Sequence, residues 1–229
     1  MGGWGEFAGA FVVFLLSHAL PARPALRRPL VTALGERAYL ALYSLASLAV
    51  LAWLVLAAGR APYIALWDMA PWQYWVPNIA MPLTCLLVVC GTGAPNPLSF
   101  GGRALGFDPE HPGVAGLARH PLLWAIALWA GSHAVPNGDL AHGLLFGGFA
   151  GFALLGMWAI DRRRRRQIGA EEWARLAART SFWPAAALLS GRWHPLGRPS
   201  IPRLAAAMLL WLALLLLHGP VIGVSPLPP

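Results

Sequence analysis

Six apolar stretches, each long enough or nearly long enough to cross a bilayer, constrain this chain more than any other feature. They cover residues 6–20, 39–58, 75–89, 117–135, 140–160 and 204–221. A transmembrane helix needs about 20 residues. Because 58% of the residues are hydrophobic and only 11% are charged, a soluble domain of this length could not cover its apolar surface. The sequence therefore predicts an all-α fold, a polytopic membrane helical bundle of about six transmembrane helices in a single domain over residues 1–229.

The distribution of arginine predicts the orientation of this bundle. All 17 basic residues are arginines, and all but Arg60 fall in the segments after the first, third and fifth stretches. These segments contain Arg23, Arg27, Arg28 and Arg37, then Arg103 and Arg119, then ten arginines within 162–203. Cytoplasmic loops carry the excess of positive charge, so we predict cytoplasmic basic segments and two periplasmic termini. The net charge of +8 is then a topology signal in a multi-pass membrane protein and does not indicate nucleic-acid binding.

The longest basic segment, residues 161–203, has an organisation of its own. Leu176 and Ala177 follow Trp173 at spacings of three and four, which places the three residues on one face of a short helix. Such an amphipathic helix is expected to lie on the membrane surface, in contact with lipid.

Asp161 begins this segment and stands next to five consecutive arginines. We predict that its carboxylate pairs with an arginine of another inner segment, Arg119 or Arg37, and locks the spans together. The alternative is a plain carboxylate at the headgroup level.

Histidines are the main candidates for chemistry within the spans. His18, His120, His133, His142 and His218 all lie in or at the ends of apolar stretches, where ionisable residues are rare and usually functional. There is no Cys-x-x-Cys pair, no phosphate-binding loop and no pair of carboxylates within a span. Histidines without such partners suit haem, which fits between helices and takes axial imidazoles. The alternative for any single one is a hydrogen-bonded packing residue.

Four groups of residues carry a resemblance to a known family. They are Leu16-Ser17-His18-Ala19-Leu20 with Arg27-Arg28; Gly35-Glu36-Arg37-Ala38-Tyr39 with Leu42-Tyr43-Ser44; Arg119-His120-Pro121 with Trp124, Trp129, Ser132-His133 and Asn137-Gly138-Asp139; and Asp161-Arg162-Arg163 with Arg179-Thr180-Ser181-Phe182-Trp183-Pro184. In this order and at this spacing the chain resembles the NnrU family of bacterial membrane proteins, which is homologous to the zeta-carotene isomerase of plants and cyanobacteria.

The resemblance implies a haem b protein of the bacterial inner membrane, with His18 and His133 as the axial ligands of the iron. Bacterial relatives are tied by name to nitrite and nitric oxide reduction in denitrifying bacteria, which implies another membrane oxidoreductase as partner. The isomerase converts a cis double bond of a carotene, an apolar polyene, to trans with reduced haem iron. Its alternate cysteine ligand falls at Ala130 here, and a further histidine falls at Phe152, so the resemblance does not imply ligand switching of that kind.

The depth of the histidines favours a rival ligand pair. His133 follows His120 by thirteen positions, or about 20 Å of helix rise, whereas His18 and His120 are expected at the same inner depth. Two axial imidazoles must each approach one iron to about 2 Å. His120 therefore remains a rival ligand, and His120 and Arg119 remain candidate catalytic residues.

A more distant resemblance points to a different class of enzyme. Arg119-His120-Pro121, residues 171–173 and residues 179–184 are similar to isoprenylcysteine carboxyl methyltransferases, which use S-adenosylmethionine on a lipid substrate. The alternative for Arg119-His120-Pro121 is an ordinary helix start with Pro121 in the first turn. The sequence thus leaves open a haem protein of nitric oxide metabolism, a carotenoid isomerase, a methyltransferase-like enzyme and a non-catalytic assembly factor.

Overall fold

A computed structural model describes residues 3–20, 24–196 and 199–228, and each of the six apolar stretches contains a helix. The described helices are α1 (Trp4–Ala19), α2 (Pro24–Leu34), α3 (Glu36–Arg60), α4 (Trp75–Gly91), α5 (Val114–Leu117), α6 (Pro121–Ala134), α7 (Leu140–Ile168), α8 (Ala170–Ala177), α9 (Ala186–Leu189) and α10 (Ile201–Ile222). A 3-10 turn, Pro71–Tyr74, leads into α4. Arg23 and Arg198, two of the arginines that predict the orientation, lie outside the described residues.

The predicted class, an all-α membrane helical bundle, is confirmed. Over the described ranges the only extended pairings are two isolated bridges, and four helical segments are long and apolar enough to cross a membrane: Glu36–Arg60, Pro71–Gly91, Leu140–Ile168 and Ile201–Ile222. The other two predicted spans are shorter. With 16 and 14 residues, α1 and α6 rise about 24 and 21 Å, less than the ~30 Å apolar thickness of a bilayer. Prolines explain the length of α6, since Pro121 starts it and Pro136 follows its end.

The chain divides into two compact units, and the first comprises Met1–Asp68 and Gly138–Leu145. In this unit α1 packs against α3 through Ala10, Leu54 and Ala57, which are fully buried. The Glu6 carboxylate near the start of α1 pairs with Arg60 at the end of α3. Arg60, the one arginine on the predicted outer side, is thus matched by an acidic partner. The two helices run antiparallel, as the predicted alternation of spans requires.

Two features of the first unit were not expected. The basic segment after α1, which connects two predicted spans, contains the helix α2, whose Arg27 pairs with Glu36 at 2.9 Å. Residues 64–67 also pair with residues 138–140 through backbone hydrogen bonds, including Leu66 N–H to the Gly138 carbonyl at 2.7 Å. Because Gly138 has no side chain, the Trp67 backbone can approach it more closely than a Cβ would permit.

The second unit comprises Met69–Asn137 and Phe146–Pro229. Here α4 packs against both α6 and α10, and a hydrophobic cluster of Ala127, Ala153 and Met157 holds α6 against α7.

The predicted amphipathic helix is confirmed as α8. Its residue Ala177 is buried and Trp173 and Leu176 are half-buried, whereas Glu171, Ala174, Arg175 and Ala178 are exposed. At the other end of this unit, the Asn78 side-chain amide donates to the carbonyls of Tyr74 and Pro226, which ties the C-terminal tail to the start of α4.

The predicted orientation can be tested with reporter fusions. We expect a fusion at Arg103 to behave as cytoplasmic and a fusion at Asp139 to behave as periplasmic, because the arginine-rich segments stay inside. Alkaline phosphatase, active only in the periplasm, should be active at Asp139 and inactive at Arg103, and a green fluorescent protein fusion should give the opposite pattern. Phosphatase activity at Arg103 would contradict the arrangement.

Candidate functional site

A buried polar cluster lies where α6 begins, in the second unit. Arg119 and His120 precede the helix, Asp161 comes from α7, and Thr180 follows α8. The Arg119 guanidinium pairs with the Asp161 carboxylate and also donates to Thr180 Oγ1 at 2.7 Å. His120 is fully buried, and its Nε2 lies 3.1 Å from Asp161 Oδ1. The predicted ion pair of Asp161 is therefore confirmed with Arg119 as its partner; the alternative, Arg37, belongs to the first unit.

The backbone around Arg119 and His120 explains why these side chains face inwards. Arg119 N–H donates to the Ser181 carbonyl at 2.6 Å, and the Asn96 amide donates to the Arg119 carbonyl at 2.8 Å. Ser181 Oγ in turn donates to the Gly116 carbonyl at 2.6 Å. Polar groups of this kind must be paired when they are buried. The cluster therefore connects α5, α6, α7 and the segment after α8.

The electrostatics of the cluster indicate a structural role. Burial lowers the pKa of the Arg119 guanidinium from its ordinary value, and the neighbouring Asp161 carboxylate acts against this effect. A buried carboxylate and guanidinium are stable only when paired, so removal of one partner is costly. The side chains of Arg119 and Asp161 are only 8% and 14% exposed. Both charged groups are therefore largely shielded from solvent.

His120 also differs from an axial ligand in its bonding. Its Nδ1 lies 3.1 Å from Ser99 Oγ while its Nε2 faces Asp161, so both ring nitrogens are engaged. An imidazole needs one nitrogen lone pair for a metal. The structure thus favours His120 as part of the polar cluster over His120 as the rival iron ligand, although its proposed catalytic role with Arg119 stays a prediction.

His18 and His133 share one local arrangement. In each case the His Nδ1 donates to the carbonyl four residues back, at 2.8 Å from Phe14 O and 2.8 Å from Trp129 O. The preceding serine hydroxyl, Ser17 or Ser132, donates to the same carbonyl. Both sequences read aromatic-x-x-Ser-His. With the proton held on Nδ1, the lone pair lies on Nε2, which is the tautomer of a metal-ligating histidine oriented by a backbone carbonyl.

The two histidines belong to different units. His18 lies in the first unit near the end of α1, where its ring is 6.3 Å from the ring of Tyr43. His133 lies in the second unit near the end of α6, and its ring is 5.7 Å from both Trp129 and Phe146. That these two histidines bind one iron stays a prediction.

One histidine near His133 was not predicted to belong to the same site. His218 of α10 has its ring centroid 6.5 Å from that of His133, and its Nδ1 donates to the Val224 carbonyl at 2.8 Å. The sequence places both histidines toward the outer ends of their apolar stretches. This shared depth in the membrane is the one feature of the sequence that could have predicted their proximity. Among the described residues no group of three or more His, Cys, Asp or Glu side chains could hold a metal ion.

These features define an all-α polytopic membrane protein with a closed polar cluster at one end of its second unit and oriented histidines at the other. The chain belongs to the NnrU family: the family model described as NnrU protein matches residues 6–226. This match includes the polar cluster and the histidines of both units. No curated protein and no solved structure matches the chain.

Proposed function

We propose that this NnrU-family membrane protein binds haem b, that His133 supplies one axial ligand, and that it serves nitric oxide or nitrite metabolism in the inner membrane. The observation that carries the proposal is the tautomer of His133. The Trp129 carbonyl holds its Nδ1–H, which leaves the Nε2 lone pair as the donor. The resemblance pairs His133 with His18, whose Nδ1 is held by the Phe14 carbonyl in the same way.

The surroundings of His133 suit a porphyrin better than a bare metal ion. Trp129, Phe146 and Phe149 form a connected set of aromatic rings next to it. A structural zinc site needs four protein ligands, whereas haem brings four nitrogens of its own and needs one or two imidazoles. Two histidines without further ligands therefore fit haem. When bound, haem would supply an iron centre that can take up nitric oxide or exchange one electron.

The same aromatic surroundings also fit a second candidate function, the isomerisation of an apolar polyene. Side chains without charge next to the iron would suit a carotene dissolved in the membrane. By contrast, Arg119 and His120, which carry the methyltransferase resemblance, are joined to Asp161 within a buried cluster. We therefore do not propose a methyltransferase.

A visible spectrum tests the proposal directly. We expect the purified protein to show a Soret band that sharpens on reduction and a pyridine haemochrome spectrum typical of haem b. The reason is that the Trp129 carbonyl orients His133 with its Nε2 lone pair available to iron. Nitric oxide added to the reduced protein should shift the Soret band, while a cis-carotene in the same detergent tests the isomerase function. A protein that carries no haem when haem is supplied during expression, and takes up no haemin afterwards, would overturn the proposal.

A further inference from the structure

The rings of His133 and His218 are neighbours within the second unit, but they lie too far apart for a direct hydrogen bond between them. Their centroids are 6.5 Å apart, with 24° between the ring planes. A direct N–H···N hydrogen bond between two imidazoles would place the centroids about 5 Å apart. An iron held at about 2 Å from one nitrogen of each ring would place them about 6 Å apart. The observed separation is closer to the second arrangement.

Both rings also present the same nitrogen for binding. His218 Nδ1 donates to the Val224 carbonyl at 2.8 Å, as His133 Nδ1 donates to Trp129. In a neutral imidazole with its proton on Nδ1, the lone pair is on Nε2. Each ring is thus fixed in one tautomer by a backbone carbonyl, the hydrogen bond that orients most metal-binding histidines.

The local sequence explains how His218 is held. Gly223 ends α10 with φ +84°, a left-handed conformation that side chains other than glycine rarely adopt. This turn brings the Val224 carbonyl back to His218. Two residues further on, the Pro226 carbonyl accepts a hydrogen bond from Asn78 of α4. The tail that orients His218 is therefore fixed to a second helix of the same unit.

We propose that His218 is the second axial ligand of the iron that His133 binds. The inference rests on the proposed function, since it assumes that haem is present. It assigns the second ligand to α10, within the same unit as His133, in place of the His18 that the resemblance implies.

The test compares His218→Ala with His18→Ala, using the full-length protein purified with haem. Wild-type ferric protein is expected to give the low-spin electron paramagnetic resonance spectrum of two imidazole ligands. We expect His218→Ala to retain haem but to become high-spin, since the iron loses one strong-field ligand, and added imidazole should restore the low-spin signal. His18→Ala should remain low-spin. His111→Ala, in an exposed loop, is the control for loss of a histidine elsewhere.

A conservative variant separates ligation from folding. His218→Met keeps a ligand atom at this position, so we expect a low-spin spectrum with the signature of one imidazole and one thioether, and a lower affinity for carbon monoxide than in His218→Ala. If His218→Ala stays low-spin and His18→Ala becomes high-spin, the inference is overturned while the proposed function stands. If wild-type protein binds no haem, the proposed function itself fails.

Discussion

His133→Ala is expected to reduce haem content at least tenfold while the protein still inserts into the membrane. The variant removes an imidazole that is held in one tautomer by the Trp129 carbonyl and surrounded by aromatic rings. An alanine offers no lone pair to iron. His133 lies within the second unit, between Trp129 and Phe146, whereas His218 lies near the end of α10, where residues 220–225 are exposed. We therefore expect the loss of haem to be larger for His133→Ala than for His218→Ala. Haem per protein, measured by pyridine haemochrome, gives the result.

Two controls make this result specific. Ser132→Ala removes one of the two hydrogen bonds to the Trp129 carbonyl but leaves the His133 bond in place, so haem should be retained. His120→Ala should also retain haem, because both of its nitrogens are already engaged with Ser99 and Asp161. Loss of haem in His120→Ala together with normal haem in His133→Ala would show that the comparison of depths was right and the resemblance was wrong.

The sequence predicts much of the helical framework, because the length of an apolar stretch and the positions of the arginines next to it can be read directly from the local sequence. It also predicts that Asp161 pairs with an arginine of another segment, although it leaves Arg119 and Arg37 both open, since a carboxylate at the membrane boundary has few ways to avoid desolvation other than such a pair. It does not predict α2, because Pro29 and two exposed arginines interrupt the apolar pattern by which helices are recognised.

The histidines show where sequence reasoning ends. Depth along a helix favoured His120 as an iron ligand, but depth cannot reveal that Ser99 and Asp161 engage both of its nitrogens. The approach of His218 to His133 depends on α6 and α10 both packing against α4. Residues so far apart in the chain carry no local signal for this contact. The glycine that turns the tail, Gly223, is recognisable as a helix end, but its effect on His218 appears only in three dimensions.

Asp161→Asn is expected to lower the stability of the protein by about 3 kcal/mol, because it leaves the buried Arg119 guanidinium without a counter-charge. The asparagine amide can still accept one hydrogen bond, but it cannot compensate a buried positive charge. By the scale that holds for soluble domains of this size, such a loss lowers the melting temperature by roughly 6–12 °C. Thermal unfolding in detergent, followed by circular dichroism or by the fluorescence of buried tryptophans, measures the change.

Glu172→Gln provides a matched control, since it makes the same acid-to-amide change in an ion pair. Glu172 pairs with Arg175 on the surface of α8 at 2.7 Å, with both side chains exposed, and surface pairs of this kind contribute little to stability. We therefore expect its melting temperature to stay close to that of the wild type. In the double variant Arg119→Gln/Asp161→Asn, both charges are gone, so the combined loss should be smaller than the sum of the two single losses. Equal melting temperatures for Asp161→Asn and the wild type would mean that Asp161 is a plain headgroup-level carboxylate and that the cluster does not hold α6 against α7.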